Sequence, residues 1–190
     1  LTMFDASATD PVVDFLVDIA GGGRALEFGI GTGRIAIPLA KKDVRVHGID
    51  LSPNMLDRLK ERQSDVSIGV TCGDFSSTRV GEQFSVVYLV FNTIMNLTTQ
   101  VEQVSCFENA ATHLQPGGTF IIEVMVPELR KLPIGQKLVA FDLSDGHCGV
   151  DEYDVVTQKL VSHHVRTIDG RIERHSIPFR YVWPSALDLM

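Results

Sequence analysis

The sequence lacks any apolar run that approaches the roughly 18 residues needed for a membrane-spanning helix. It also lacks a basic excess, because 17 Lys and Arg residues stand against 24 Asp and Glu residues and give a net charge of −7. Binding to nucleic acid or to an anionic membrane depends on a basic surface. We therefore expect neither nucleic acid nor a membrane among the partners of this protein.

Cysteine is scarce, with only Cys72, Cys106 and Cys148 in the whole chain. An odd number of cysteines at wide, irregular spacing forms neither a disulfide framework nor a CxxC-type metal site. Free thiols are typical of a reducing compartment. We expect a cytoplasmic protein without a metal site.

The composition that is present is that of one globular domain. The chain has 190 residues, of which 44% are hydrophobic and 22% charged, and a domain of this size buries a sufficient core without disulfides. We predict a single domain over residues 1–190. The sequence begins at Leu1 rather than Met, and its last residues, 184–190, have the pattern of a helix just begun, so we expect a fragment of a longer protein.

Short apolar segments alternate with amphipathic ones in the first two thirds of the chain. Asp10-Pro11 combines an N-cap residue with proline at the first helical position and predicts a helix that ends at 21–23. Ser52-Pro53 predicts another helix start. The predicted strands are 25–30, 44–51, 66–70, 84–91 and 119–126. This alternation predicts a doubly wound α/β fold with a mainly parallel, Rossmann-like sheet.

After the fifth predicted strand the hydrophobic pattern changes from alternating helices and strands to strands alone. The strand-like segments there are 155–167 and 171–183. Asp169-Gly170 between them is typical of a two-residue hairpin turn, and this turn places His164 opposite His175. The acidic segment 151–154 is predicted to be a solvated turn. We predict an antiparallel β insertion over residues 127–183.

A glycine-rich segment, Glu27-Phe28-Gly29-Ile30-Gly31-Thr32-Gly33, lies between a predicted strand and a predicted helix. Glycine lets the backbone turn sharply and approach a ligand closely, while helix N–H groups point at that ligand. Asp50 ends the next strand, where a carboxylate can accept hydrogen bonds from two ribose hydroxyls. Asp74 follows the third strand, in position to accept from an adenine amino group, with Phe75 beside the ring. Because the carboxyl ends of parallel strands meet at one edge of a sheet, these residues predict a nucleoside site.

The identity of the nucleoside depends on the third glycine of the dinucleotide fingerprint G-x-G-x-x-G. Counted from Gly29 that position holds Arg34, and counted from Gly31 it holds Ala36. A nicotinamide cofactor therefore fits imperfectly, and a NAD(P)-dependent oxidoreductase stays an alternative. The acidic Glu27 suits a positively charged sulfonium better than an anionic diphosphate.

Four segments, in this order, resemble class I S-adenosylmethionine-dependent methyltransferases. Residues 25–33 resemble motif I of the family, and residues 47–56 resemble its ribose-binding segment. Residues 72–75 resemble the adenine-binding turn, and residues 114–123 resemble the segment that leads into the fifth strand. The resemblance implies a cofactor-binding core over 10–126 and a core helix beginning at 184–190. The family's final antiparallel strand pair is absent from the chain.

The resemblance extends to the small-molecule branch of the family, in which an antiparallel insertion roofs the acceptor pocket. Members that methylate amino groups of nucleic acids often carry N/D-P-P-Y/F after the fourth strand, whereas this chain has Asn92-Thr93-Ile94-Met95. The resemblance thus implies S-adenosylmethionine as cofactor and transfer of a methyl group to an oxygen or nitrogen of a small molecule. The implied cofactor-binding residues are Glu27, Gly29, Gly31, Gly33, Asp50, Leu51, Met55, Asp74, Phe75, Phe91 and Asn92. Two further alternatives are a non-catalytic S-adenosylmethionine-binding protein and an interaction module that dimerises through its hairpin, and a homodimer stays open.

The catalytic residues are not evident from the sequence. Methyl transfer is an in-line displacement in which alignment supplies much of the rate, and a base is needed only when the acceptor must lose a proton. His164, His175 and Tyr153 are candidates, and for each the alternative is an ordinary strand residue. For Glu123, in the fifth predicted strand, two interpretations stay open: a pocket residue, or a carboxylate that accepts from a backbone donor.

Overall fold

The computed structural model describes residues 6–190. They form two compact units, one of residues 6–93 with Val104–Glu123 and the other of Ile94–Gln103 with Val124–Met190. The two units are described separately below. The single domain over 1–190, with a core over 10–126, an insertion over the acceptor site at 127–183 and a core helix from 184, stays a prediction.

The first unit is built on a five-stranded parallel sheet. Its strands are β1 (Arg24–Phe28), β2 (Arg45–Asp50), β3 (Gly69–Cys72), β4 (Phe84–Leu89) and β5 (Leu114–Ile122). The strand order is β3-β2-β1-β4-β5, and every neighbouring pair is parallel. The central strands β1 and β4 are almost entirely buried, which accounts for their continuous apolar sequences. The chain moves outward from β1 on one side and then returns beside it at β4, so the carboxyl ends of β1 and β4 form a topological switch point.

Helices cover this sheet. They are α1 (Ala6–Ala20), α2 (Ala36–Lys41), α3 (Pro53–Arg62) and α4 (Gln100–His113), of which the part from Val104 onward belongs to this unit. The helix start predicted at Ser52-Pro53 is confirmed, since Ser52 Oγ accepts the Met55 N–H at 3.4 Å. The start predicted at Asp10-Pro11 is wrong, because α1 already includes Ala6 and Pro11 lies inside it. Pro11 follows five helical residues and lacks the N–H for one i→i−4 hydrogen bond, and α1 continues through it despite that loss.

The second unit contains a four-stranded antiparallel sheet of order β6-β7-β8-β9. Its strands are β6 (Leu138–Ser144), β7 (His147–Asp154), β8 (Lys159–Ile168) and β9 (Arg171–Arg180), followed by the short helix α5 (Pro184–Leu187). The predicted hairpin register is confirmed: Ile168 lies opposite Arg171 and His164 lies opposite His175. The predicted fold class, a mainly parallel Rossmann-like sheet with an antiparallel insertion after the fifth strand, is therefore confirmed.

Several predicted boundaries differ from the structure. Segment 151–154 belongs to β7 and is not a turn, whereas 155–158, predicted as strand, is the turn that follows it. The Asp154 carboxylate accepts the N–H groups of Val156 and Thr157 at 3.0 and 3.3 Å, and such local bonds compete with strand pairing. The fifth strand ends at Ile122 rather than at residue 126. None of the described helices is long and apolar enough to cross a membrane, and all three cysteines are free thiols.

Candidate functional site

The glycine-rich loop follows β1 at the carboxyl edge of the parallel sheet. Gly29, Gly31 and Gly33 have φ angles of +69°, +54° and +77°, a region that side chains with a Cβ rarely adopt. A Cβ atom on Gly29 would also lie 2.7 Å from Thr93 Cγ2, and one on Gly33 would collide with Leu59. Glycine at these positions therefore allows both the turn and the close packing of the loop.

Asp50, the last residue of β2, holds this loop in place. Its Oδ2 accepts the Gly31 N–H at 2.7 Å, and its Oδ1 accepts the Ser52 N–H at 2.9 Å. The carboxylate thus connects the glycine loop to the turn that begins α3. Because a carboxylate has about four acceptor positions, two remain for a ligand.

Glu27 is a buried acid within β1, with 4% of its surface exposed. Its Oε2 accepts the Tyr88 hydroxyl hydrogen at 2.9 Å. Burial raises the pKa of Glu27 to about 8, although the Tyr88 hydrogen bond, the Arg34 charge and a hydrogen bond from the Ala36 backbone act in the opposite direction. Glu27 is therefore mostly protonated at neutral pH and is placed to respond to a nearby cation.

A cavity of about 450 Å³ opens between these elements. Its lining includes five residues predicted to bind the cofactor, namely Glu27, Gly29, Gly31, Met55 and Phe91. The remaining lining residues are Ile30, Thr32, Arg34, Arg62, Val90 and Thr93. The structure thus brings together the glycine loop, the first turn of α3 and the end of β4.

Two arginines in this lining were missed by the sequence analysis. The Arg62 Nη1 donates to the carbonyl oxygen and to Oγ1 of Thr32, at 3.1 and 2.7 Å. The Arg34 guanidinium lies over the Phe91 ring, with its Cζ 3.0 Å from the ring centroid. Burial lowers the pKa of Arg34, whereas the negative charges of Glu27 and Glu123 raise it. Arg34 entered the sequence analysis only as a residue in the place of a glycine, and nothing marked Arg62.

Six predicted residues do not line the cavity: Gly33, Asp50, Leu51, Asp74, Phe75 and Asn92. The Leu51 side chain is 69% exposed. Asp74 Oδ1 accepts the Ser76 N–H at 2.8 Å and so closes its own turn. The buried Phe75 ring stacks on Phe28 with 5.8 Å between centroids. Contact of Leu51, Asp74 and Phe75 with an adenine stays a prediction. The same holds for the ribose contact of Asp50 and for the roles of Gly33 and Asn92 toward the rest of the cofactor.

The backbone after β4 is strained and is held by Glu123. Phe91 and Asn92 have φ angles of +63° and +59°, which is unfavourable for residues with a Cβ. Glu123 Oε2 accepts the Phe91 N–H at 3.1 Å, and the Glu123 carbonyl accepts the Asn92 N–H at 3.2 Å. Of the two interpretations of Glu123, the one with a backbone donor is thus observed, although the side chain is exposed rather than buried.

The catalytic candidates lie on the antiparallel sheet of the second unit. His164 Nδ1 is 3.0 Å from His147 Nε2, and His147 Nδ1 is 2.7 Å from Asp142 Oδ2. The two imidazole rings are almost parallel, with 4° between their planes. His175 is exposed and Tyr153 is buried. The sequence analysis missed Asp142 and His147 because it predicted no strand at β6 or β7, and a catalytic role for the candidates stays a prediction.

Among residues 6–190, no group of three or more His, Cys, Asp and Glu side chains is arranged to hold a metal ion. Burial lowers the pKa of His164, and the charges of His147, Arg166 and His175 act in the same direction. Burial also raises the pKa of Tyr153, together with the charge of Asp151.

Comparisons with known proteins identify the class. A family model described as methyltransferase domain matches residues 25–118. The solved structure of the CcbJ methyltransferase from Streptomyces caelestis superimposes with a TM-score of 0.82 at 33% identity, covering 94% of this chain and 74% of that one. The chain belongs to the class I S-adenosylmethionine-dependent methyltransferases.

A curated relative and a second solved structure are also similar to the chain. The chain is 31% identical over 162 residues to the dTDP-3-amino-3,4,6-trideoxy-alpha-D-glucopyranose N,N-dimethyltransferase of Streptomyces venezuelae, covering 84% of this chain and 61% of that protein. The chain therefore spans less than two thirds of the length of this curated relative. An S-adenosylmethionine-dependent methyltransferase from Clostridium acetobutylicum shares the fold, with a TM-score of 0.75 at 16% identity over 95% of this chain and 78% of that one. These matches do not support the NAD(P)-dependent oxidoreductase.

Proposed function

We propose that this protein transfers the methyl group of S-adenosylmethionine to an oxygen or nitrogen of a small molecule. The observation that carries the proposal is the cavity at the switch point of the sheet, where the Asp50 carboxylate fixes the glycine loop through the Gly31 N–H at 2.7 Å. Open α/β sheets bind ligands at this edge. The volume of about 450 Å³ lies within the usual range for small-molecule sites.

The side chains in and beside the cavity suit the charges of S-adenosylmethionine. Arg34 and Arg62 offer positive charge to its carboxylate, and the Glu27 carboxyl group offers an acceptor to its ammonium or sulfonium. The acceptor positions left on Asp50 suit ribose hydroxyls. When bound, this cofactor supplies a methyl group that its sulfonium already activates for displacement.

The task left to the protein is to position the reactants. The hydrogen bonds from Gly31 and Ser52 to Asp50 support the conformation of the loop. Alignment of donor and acceptor can supply much of the barrier reduction in a displacement of this kind. A base is required only for an acceptor that must lose a proton, and His164, His175 and Tyr153 are our proposed candidates for that step.

The Streptomyces venezuelae relative is described as an N,N-dimethyltransferase that acts on a nucleotide-linked amino sugar. This similarity supports a small-molecule acceptor for the present chain and is consistent with nitrogen as the methylated atom. The three free thiols agree with a cytoplasmic location. A homodimer stays open.

Calorimetric titration tests the cofactor assignment. We expect S-adenosylhomocysteine to bind and NADH not to bind, because the loop lacks the third glycine that a pyrophosphate requires. A preference for NADH would overturn the proposal. Turnover is tested separately with candidate acceptors by following release of S-adenosylhomocysteine, and binding without any turnover across amines and alcohols would favour the non-catalytic alternative.

A further inference from the structure

A second concave surface adjoins the glycine-loop cavity within the first unit. It is an apolar groove of about 300 Å³ between α1 and the carboxyl ends of β4 and β5. Its lining consists of Pro11, Val12, Phe15, Leu16, Val90, Ile121 and Glu123. Val90 also lines the glycine-loop cavity, so the groove and the cavity share a wall.

The wall of the groove is almost entirely apolar, and one charged side chain stands beside it. Phe15 is 51% exposed, which is unusual for a phenylalanine on a helix that packs against a core. Glu123 is the one charged residue in the described lining, and it lies where the groove meets the Phe91 turn. A surface of this kind suits a ligand with an apolar body and a single positive charge.

The position of the Glu123 carboxylate is fixed by the backbone around it. Its N–H donates to the Leu89 carbonyl at 3.0 Å, its carbonyl accepts the Asn92 N–H at 3.2 Å, and its Oε2 accepts the Phe91 N–H at 3.1 Å. The carboxylate therefore supports the turn through Oε2 and is held at this position on an exposed side chain.

We propose that Glu123 binds the amine of the methyl acceptor in its protonated form while the apolar part of the acceptor occupies the groove. This inference rests on the proposed function, because it places an amine beside the cavity assigned to the methyl donor. For an amine acceptor this assigns the removal of the proton to Glu123 in place of His164, His175 or Tyr153: the ammonium first gives one proton to the Glu123 carboxylate, which passes it to solvent. The nitrogen lone pair then forms the bond to the methyl carbon, and the carbon–sulfur bond breaks with its electron pair left on sulfur. The products are a methylated ammonium and S-adenosylhomocysteine.

Arg34 sets the expected strength of this interaction. Its guanidinium is attracted by both Glu27 and Glu123 and lies over the Phe91 ring. Since Glu27 is mostly protonated at neutral pH, the Arg34 charge acts chiefly on Glu123 and weakens its pull on an ammonium. A hydrogen bond between a ligand and a charged group changes the affinity for that ligand by tenfold or more when nothing opposes it. Because Arg34 opposes the Glu123 charge, we expect removal of that charge to lower the affinity for an amine by only about tenfold.

The test compares three probes of similar shape: cyclohexylamine, cyclohexanol and cyclohexanecarboxylate. Their binding is followed by ligand-observed NMR in the full chain, in Glu123→Gln and in Glu61→Gln, each with and without saturating S-adenosylhomocysteine. Glu123→Gln keeps an oxygen for the Phe91 N–H and removes only the charge. Glu61→Gln removes an exposed charge from α3 and is the matched control.

We expect cyclohexylamine to bind more tightly than the two other probes, with about a tenfold loss in Glu123→Gln and no change in Glu61→Gln. Equal binding of cyclohexylamine to Glu123→Gln and to the unaltered chain would overturn the inference, as would equal binding of cyclohexanol and cyclohexylamine. Glu123→Gln should retain its affinity for S-adenosylhomocysteine. If the unaltered chain does not bind S-adenosylhomocysteine, the proposed function fails, and the probes added without it still test Glu123.

Discussion

Replacing Glu27 by Gln tests the protonation state of the buried acid in the cavity. The carboxyl group has an ordinary pKa of 4.5 in the unfolded chain, whereas burial raises its pKa to about 8 in the folded protein. Between these two values the folded state holds about one proton more than the unfolded state. Rising pH therefore favours the unfolded chain across this window and reduces the free energy of unfolding.

The magnitude follows from the linkage relation. One extra bound proton reduces the free energy of unfolding by up to about 1.4 kcal/mol per pH unit, so the whole window amounts to several kcal/mol. The stability contribution of Glu27 is fully present below pH 4.5, is lost as pH rises through the window and is constant again above about pH 8. Gln has no such titration, while its side-chain oxygen can still accept the Tyr88 hydroxyl hydrogen.

Urea unfolding of the ligand-free protein between pH 5 and pH 9 measures this contribution. Histidines titrate in the same range, and burial lowers the pKa of His47 and of His113, but they are shared by both proteins and cancel in the difference. We expect the stability of Glu27→Gln relative to the unaltered chain to rise steadily up to about pH 8 and then level off. A difference that does not change with pH would refute the reasoning, because it would mean that Glu27 is ionised throughout.

Three further predictions address other parts of the two units. Asp50→Ala leaves the Gly31 and Ser52 N–H groups without acceptors, so we expect the free energy of unfolding to fall by about 1–3 kcal/mol. We also expect weaker binding of S-adenosylhomocysteine by calorimetry, and an unchanged affinity would mean that Asp50 is not part of the site. Gly33→Ala forces a Cβ onto a φ of +77° and against Leu59, so thermal unfolding should show a loss of about 1–3 kcal/mol, whereas Gly81→Ala, also at positive φ but with open space around it, should lose less. The His147 hydrogen bond lowers the pKa of Asp142, so the ionised Asp142 stabilises the fold above its ordinary pKa of 3.8 and loses that contribution as pH falls. In Asp142→Asn we expect the free energy of unfolding to fall less steeply on acidification, and an unchanged dependence on pH would contradict this.

The parts of the fold that the sequence predicted correctly are those specified by local chemistry. Asp169-Gly170 determines a tight turn, and the turn alone determines the register that places His164 opposite His175. The glycine loop is likewise specified by residues adjacent in sequence. Strands β6 and β7 are joined by the same motif, Asp145-Gly146, with Ser144 opposite His147. The sequence analysis did not use this motif, because the largely exposed residues of these two strands show no clear apolar alternation beside it.

The cavity shows a second limit of sequence reasoning. Arg62 reaches Thr32 across 30 residues, from the end of α3, and no local pattern indicates which direction an exposed arginine takes. Glu123 was placed in a buried strand because the residues before it are apolar, but β5 ends one residue earlier and leaves its side chain exposed. Positions at the carboxyl ends of strands therefore depend on where each strand stops, and boundaries are the least predictable feature of an element.

If S-adenosylmethionine binds as proposed, we expect the protonation state of Glu27 to affect how the site distinguishes the methyl donor from its product. S-adenosylmethionine carries a positive sulfonium, whereas S-adenosylhomocysteine has a neutral sulfur in its place. A sulfonium near Glu27 would stabilise the ionised carboxylate, so we expect binding of the cation below about pH 8 to release a proton from Glu27. The affinity for S-adenosylmethionine should then rise with pH relative to that for S-adenosylhomocysteine, by up to about tenfold per pH unit. Titrations of both ligands from pH 6 to pH 8 should show this change in the unaltered chain and a constant ratio in Glu27→Gln. The same pH profile in both proteins would mean that the sulfonium binds away from Glu27, which would leave for the acid only the ammonium that both ligands share or a role in the fold.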